Sequence, residues 1–274
     1  MGTVSNRQLA VVTGASSGIG LELARQCASH GFDVVACAED EAITRAATEI
    51  ATDGAIVQAV RVDLRTREGV ESLHRSIQAF GRPVDALLLN AGVGVGGRFI
   101  ETSLDEELDM IALNCNHTVH LAKLVVPVMV SRGRGRVLVT ASVVSTAPAP
   151  YQSVYGATKA FVMSFAEALR VELDGTGVTV TALQPGATET NFFERANMMD
   201  TAVGQAEKDD PAGVARRGFE AMMKGKDSVL GGELKSRLQG LANEVLPETV
   251  KASQVARTTK PGSASPDKGH RSGS

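Results

Sequence analysis

Tyr155 and Lys159 stand four residues apart in the run Ser153-Val154-Tyr155-Gly156-Ala157-Thr158-Lys159, a spacing that sets a phenol and an ammonium on one face of a helix. A free phenol titrates near ~10, too high for proton exchange at neutral pH, and a neighbouring cation favours its ionised form. Lys159 is therefore expected to lower the Tyr155 pKa. Taken alone, the pair is also what any amphipathic helix can carry. Its meaning comes from Ser142, thirteen residues before Tyr155. Arg136 to Ser142 reads as a short buried parallel strand that ends in a small hydroxyl residue, and ligand sites in open α/β sheets gather at such strand ends. From there a serine and a tyrosine can reach one carbonyl oxygen, the serine as hydrogen-bond donor and the tyrosine as proton donor or acceptor.

A second constellation opens the chain. Thr13-Gly14-Ala15-Ser16-Ser17-Gly18-Ile19-Gly20 follows the apolar run Leu9 to Val12 and precedes the helical pattern from Leu21 to Cys27. Strand, glycine turn and helix together fit a dinucleotide site. Gly14 permits the tight turn, Gly18 the approach of backbone to a pyrophosphate, and Gly20 close packing of helix on strand. The helix N-terminus then offers unpaired N–H groups to phosphate. At the end of the next strand stands Glu39, followed by Asp40. An acidic residue there suits the ribose hydroxyls of NAD, whereas NADP calls for a cation at its extra phosphate. NAD is the expectation. The alternative is NADP, with Glu39 merely opening a helix and Arg61 or Arg65 meeting the phosphate.

These residues need strands and helices to hold them, and the chain supplies the two in alternation. Apolar β-type runs fall at Leu9–Thr13, Asp33–Ala38, Ile56–Val62, Val84–Asn90, Arg136–Ser142, Val178–Gln184 and Ser228–Leu230. Helical patterns lie between or after them, at Gly18–His30, Asp40–Asp53, Arg65–Phe80, Leu104–Arg132, Val154–Asp174, Pro211–Lys224 and Glu233–Leu246. Such alternation predicts an α/β fold, a single doubly wound parallel sheet with helices on both faces.

From about Gln8 to about Leu246 the chain resembles the short-chain dehydrogenase/reductase family of NAD(P)-dependent oxidoreductases. The resemblance implies a Rossmann-type sheet of seven strands in the order 3-2-1-4-5-6-7. It implies a catalytic tetrad of Asn114, Ser142, Tyr155 and Lys159, with Tyr155 exchanging the proton, Ser142 polarising the carbonyl, Lys159 also holding the nicotinamide ribose and Asn114 supporting a proton relay. It implies cofactor contacts from Gly14, Ser16, Ser17, Gly18, Ile19 and Gly20, and from Asp63 and Leu64 at the adenine. Asn90, Ala91 and Gly92 would follow beside the cofactor, with Pro185, Gly186, Thr188 and Thr190 at the nicotinamide. Leu89 stands where the family often has a second asparagine. The activity implied is hydride transfer between a nicotinamide and a secondary alcohol or ketone; the alternative is a dinucleotide-binding sensor or scaffold without turnover. A lid at about 187–210, carrying Phe192, Phe193, Met198 and Met199, suggests an apolar substrate. Apolar positions on the long helices, among them Val125, Val128, Met129, Phe161, Met163 and Phe165, imply a homodimer or homotetramer.

A net charge of -3 gives no footprint for nucleic acid, and no run approaches the ~18 apolar residues of a membrane span. A cytoplasmic protein is expected. Cys27, Cys37 and Cys115 have no metal or redox spacing and read as buried thiols; His117 and His120 lack a third ligand nearby and read as packing residues, so no metal is expected. The first 250 residues are read as one catalytic domain. Residues 251–274 hold no Leu, Ile, Met or aromatic residue and carry five basic residues against Asp267, so a disordered, dispensable basic tail is expected.

Overall fold

The computed structural model describes residues 7–52, 54–232 and 248–264. Its elements are β1 (Gln8–Thr13), α1 (Gly18–Ser29), β2 (Phe32–Ala38), α2 (Ala42–Ile50), β3 (Val57–Arg61), α3 (Arg67–Ala79), β4 (Ala86–Leu89), α4 (Leu104–Ile111), α5 (His117–Ser131), β5 (Gly135–Thr140), α6 (Ser153–Glu172), β6 (Val178–Gln184), α7 (Phe192–Arg195), α8 (Ala202–Gln205), α9 (Pro211–Met223), β7 (Ser228–Leu230) and α10 (Glu248–Thr259). The strands form one parallel sheet in the order β3-β2-β1-β4-β5-β6-β7, the order the resemblance implied.

Every residue of β2 is buried, as a parallel strand covered on both faces requires. Alternate side chains point to opposite faces. Val11, Val35, Leu87 and Val137 pack against Val70, Leu121 and Val162 of α3, α5 and α6; Ala10, Val34, Leu88 and Leu138 pack against Leu23, Ile43 and Phe219 of α1, α2 and α9. Burying one such large side chain contributes about 1.5–3 kcal/mol. At the N-terminal edge of the sheet, buried Asp33 accepts from Ile56 N (2.8 Å) and Arg82 (2.5 Å), and Asp85 accepts from Leu9 N (3.0 Å) and Arg132 (2.7 Å). At the opposite edge Thr13, Leu89 and Thr140 end their strands in register with their neighbours, and a cavity opens there.

Two expectations are corrected. The helix predicted over Leu104–Arg132 is interrupted by a π-helical segment, Ala112–Asn116, closed by a bond from His117 N to the Ala112 carbonyl. No Gly or Pro marks the break, so propensity could not reveal it. The tail expected to be disordered from residue 251 is instead helical to Thr259 and continues through a turn to Ala264. Its composition misled because the segment docks through hydroxyls and backbone groups rather than large apolar side chains. The expected boundary at 250 thus falls inside α10. The helix expected over Glu233–Leu246 and residues 265–274 lie outside the described residues. Among the described residues no helix is long and apolar enough to cross a membrane.

Candidate active site

A cavity of about 1200 Å³ opens along the C-terminal edge of the sheet. The turn after β1 forms its floor, with Gly14 and Gly18 at φ 69° and 55°, a region that glycine enters without steric cost. A Cβ on Gly20 would lie 2.0 Å from the Gly14 carbonyl oxygen and one on Gly18 2.8 Å from the Thr190 methyl, so the glycines are required by close approach. This glycine-lined cradle at the N-terminus of α1 fits the pyrophosphate of a dinucleotide. Ser16, Ser17, Ile19, Glu39, Asp63, Leu64, Asn90, Ala91, Gly92, Tyr155, Lys159, Pro185, Gly186, Thr188 and Thr190 also line the cavity, as does Ser142. Asn114 does not reach it and stands directly behind Gly92.

Asn90 joins three strand ends: its Nδ2 donates to the Thr13 carbonyl (3.1 Å) and its Oδ1 accepts from Thr140 Oγ1 (3.0 Å). Thr13 Oγ1 accepts from the N–H groups of Asn90 and Ala91, each at 2.9 Å. The Asn114 amide is a brace as well. It pairs with both the N–H and carbonyl of Val93 (3.0 Å each) and donates to Thr158 Oγ1 (2.9 Å). Its side chain is thereby committed to holding the loop after β4 against α6.

Ser142, two residues past the end of β5, caps a short 3-10 turn, Val143–Thr146, and its Oγ accepts from Val144 N at 3.3 Å. Tyr155, in the first turn of α6, is 8% exposed, and its ring lies 5.2 Å from that of Phe192 in α7. Burial pushes its phenol up to about 12, while a hydrogen bond with Ser142 pulls the other way. Lys159 is buried too, and burial lowers its ammonium to about 8, with Cys115 opposing. The ammonium is held on the Thr140 carbonyl at 2.9 Å and stands 5.9 Å from the phenol ring centroid.

Just past the ends of β2 and β3, Arg65 grips Asp63 (2.9 Å) and Glu39 (2.8 Å), and its guanidinium holds the Asp63 carboxyl below its ordinary value. Asp40, not singled out in the sequence beyond its neighbour Glu39, accepts from Ser16 Oγ at 2.9 Å. Arg61 pairs with Glu41 at 2.8 Å, and neither Arg61 nor Arg65 lines the cavity. The segment expected as a lid, about 187–210, is closed at its ends by Asp209 N to the Ala187 carbonyl (2.8 Å) and Glu189 N to the Asp209 carbonyl (2.9 Å). Sequence reasoning passed over Gln152, a buried amide three residues before Tyr155, and Gln254, Val255, Thr258 and Thr259 of α10, all of which line the cavity.

His117 lies beneath the site, fully buried, with Nδ1 on the Leu113 carbonyl and Nε2 3.4 Å from Thr13 Oγ1. Burial drives its pKa from 6.5 to about 4, the Leu113 carbonyl opposing and Lys159 adding to the fall. Between those values the unfolded chain takes a proton that the native imidazole refuses, so stability falls as pH drops from about 6.5 towards 4, by about 3 kcal/mol in all. His117→Gln is expected to flatten this part of a plot of urea midpoint against pH; an unchanged slope would remove His117 from the account.

A family model for short chain dehydrogenases matches residues 8–201. An uncharacterized short-chain type dehydrogenase/reductase of Sinorhizobium fredii is 37% identical over 197 residues, 72% of this chain and 76% of that protein. Several other relatives are longer, and the chain spans 38% of their length. A short-chain dehydrogenase from Sphingobium yanoikuyae in complex with NADPH has a TM-score of 0.76 at 28% identity, covering 88% of this chain and 96% of its own. A short chain dehydrogenase/reductase from Burkholderia phymatum in complex with NAD also has a TM-score of 0.76, at 26% identity over 88% and 94%.

Proposed function

We propose, on the premise that this chain belongs to the short-chain dehydrogenase family, that it transfers a hydride between a nicotinamide cofactor and a secondary alcohol or ketone of apolar character. The observation that carries the reading is that Ser142, Tyr155 and Lys159 open onto the same cavity as the glycine cradle. Gly14 to Gly20 would hold the pyrophosphate, Asp63 and Leu64 the adenine, and Asn90 to Gly92 and Pro185 to Thr190 the nicotinamide half. Once bound, that group supplies or accepts the hydride. Ser142 donates a hydrogen bond to the carbonyl oxygen, Tyr155 gives or takes its proton, and Lys159 supplies the cation beside them. Asn114 holds the Val93 loop against Thr158 of α6 as a positioning residue. Phe192, against the Tyr155 ring, keeps water from the proton. Following nicotinamide absorbance with both cofactors and a series of ketones and alcohols tests the proposal; no turnover with any pair would sink it.

For the cofactor we favour NAD over NADP. Glu39 and Asp40 line the cavity, and the nearby guanidiniums of Arg61 and Arg65 are engaged by carboxylates. Glu39→Arg should weaken NAD and strengthen NADP, changing the ratio of kcat/KM by about 10- to 1,000-fold. A wild-type preference for NADPH would show that Glu39 does not set the choice.

Three buried, unbridged cysteines suit a reducing compartment, and we place the protein in the cytoplasm. Exposed Leu104, Leu108, Val128 and Phe161 on α4, α5 and α6 support a twofold contact between copies. Light scattering at micromolar concentration should give a dimer or tetramer, and a monomeric mass would refute it.

A further inference from the structure

The segment from α10 to Ala264 touches both banks of the cavity mouth. On one bank, Thr259 Oγ1 shares its proton between the Pro150 carbonyl, in the loop that delivers Tyr155, and the Val255 carbonyl of its own helix, each at 2.8 Å. That loop is held in an uncommon shape, with Tyr151 at φ 62° and its carbonyl accepting from Gly97 N at 2.8 Å. On the other bank, next to α8, Gly262 N donates to the Asp200 carboxylate (2.7 Å) and Ala264 N to its carbonyl (3.0 Å). Ala202 N donates to Ser263 Oγ at 2.9 Å. Thr259, the contact to the first bank, is 5% exposed.

Just before these anchors α10 turns Gln254, Val255 and Thr258 towards the cavity that holds Tyr155. Gln254 and Thr258 are i,i+4 and share a face. Thr258 Oγ1 spends its proton on the Val255 carbonyl (3.0 Å) and keeps its lone pairs. Among the described residues, no hydrogen bond engages the Gln254 amide. Val144, Ala147, Phe192 and Phe193 make the neighbouring wall apolar. The mouth is thus greasy near the reacting end and hydrogen-bonding at its outer rim.

We propose that residues 248–264 form a strap across the substrate mouth, and that Gln254 and Thr258 hydrogen-bond an oxygen or nitrogen function at the end of the substrate remote from its carbonyl. The substrate class is an elongated apolar ketone or alcohol with a polar far end. This rests on the oxidoreductase reading above and deepens it.

Two full-length variants test it. Gln254→Trp removes the amide and fills the rim from an exposed position; Thr259→Val combined with Ser263→Ala and Asp200→Ala removes every side-chain anchor. For Gln254→Trp, the ratio of kcat/KM between long ketones ending in a hydroxyl and short unsubstituted ketones should fall about tenfold, the scale of one lost hydrogen bond. The cofactor Kd, read by fluorescence quenching, should stay where it was. In the unanchored variant, backbone amides of 147–152 and 200–205 should exchange hydrogen about tenfold faster or more, while strand amides keep their protection. Unchanged exchange would overturn the strap. An unchanged selectivity ratio in an active enzyme would overturn the substrate contact and leave the oxidoreductase reading standing. Absence of turnover by the wild type with every substrate and both cofactors would sink that reading and the contact together.

Discussion

Tyr155→Phe is expected to lower kcat by about 100-fold or more, the usual worth of a positioned proton donor or acceptor, with the cofactor Kd nearly unchanged. The ring of Tyr155 is buried and packs against Phe192 at 5.2 Å, a contact that phenylalanine preserves. The fold should therefore survive, and the loss should fall on the proton step. Single-turnover kinetics with a matched cofactor titration would separate the two. A variant that keeps most of its kcat would transfer the proton role elsewhere.

Lys159→Ala should be comparably damaging, and its signature is the pH profile. Burial sets the Lys159 ammonium at about 8 and the Tyr155 phenol at about 12. In ketone reduction Tyr155 must arrive protonated, and it does so well above neutrality, so it does not limit the alkaline side. The Lys159 cation, by contrast, is present below its pKa and lost as pH rises through about 8. In the wild type, kcat/KM for reduction, which reports groups of the free enzyme, should decline near that pH. Lys159→Ala should drop the whole curve by about 100-fold and abolish the decline. A variant that retained the same alkaline limb would show that another group titrates there.

Much of this site could be read from the chain because its parts are local. The glycine turn, the Tyr-x3-Lys pair and the strand leading to Ser142 each declare themselves within a few residues. The sheet was legible for a related reason: strands such as Phe32–Ala38 are buried throughout and leave unbroken apolar runs. What stayed hidden depends on partners distant in sequence. Lys159 meets a backbone carbonyl, that of Thr140, and no residue type announces such a contact. The Asn114 amide is engaged by Val93 and Thr158, partners 21 and 44 residues away. The C-terminal helix escaped because its anchors are Thr259, Gly262 and Ser263, residues that composition assigns to solvent.

The π segment at Ala112–Asn116 carries its information in its length. An α-helix advances about 100° per residue, and the wider turn absorbs one residue that an uninterrupted helix would have no room for. Removing one residue such as Ala112 would let a continuous α-helix form with α4 and α5 close to their present phase, because the wide turn takes up its extra residue within about one turn. Met110 and Glu107, now buried on α4, would keep their places, and the change would fall on the local bulge that presents Asn114 to Val93. The segment acts as a one-residue take-up that leaves the helices on either side in step.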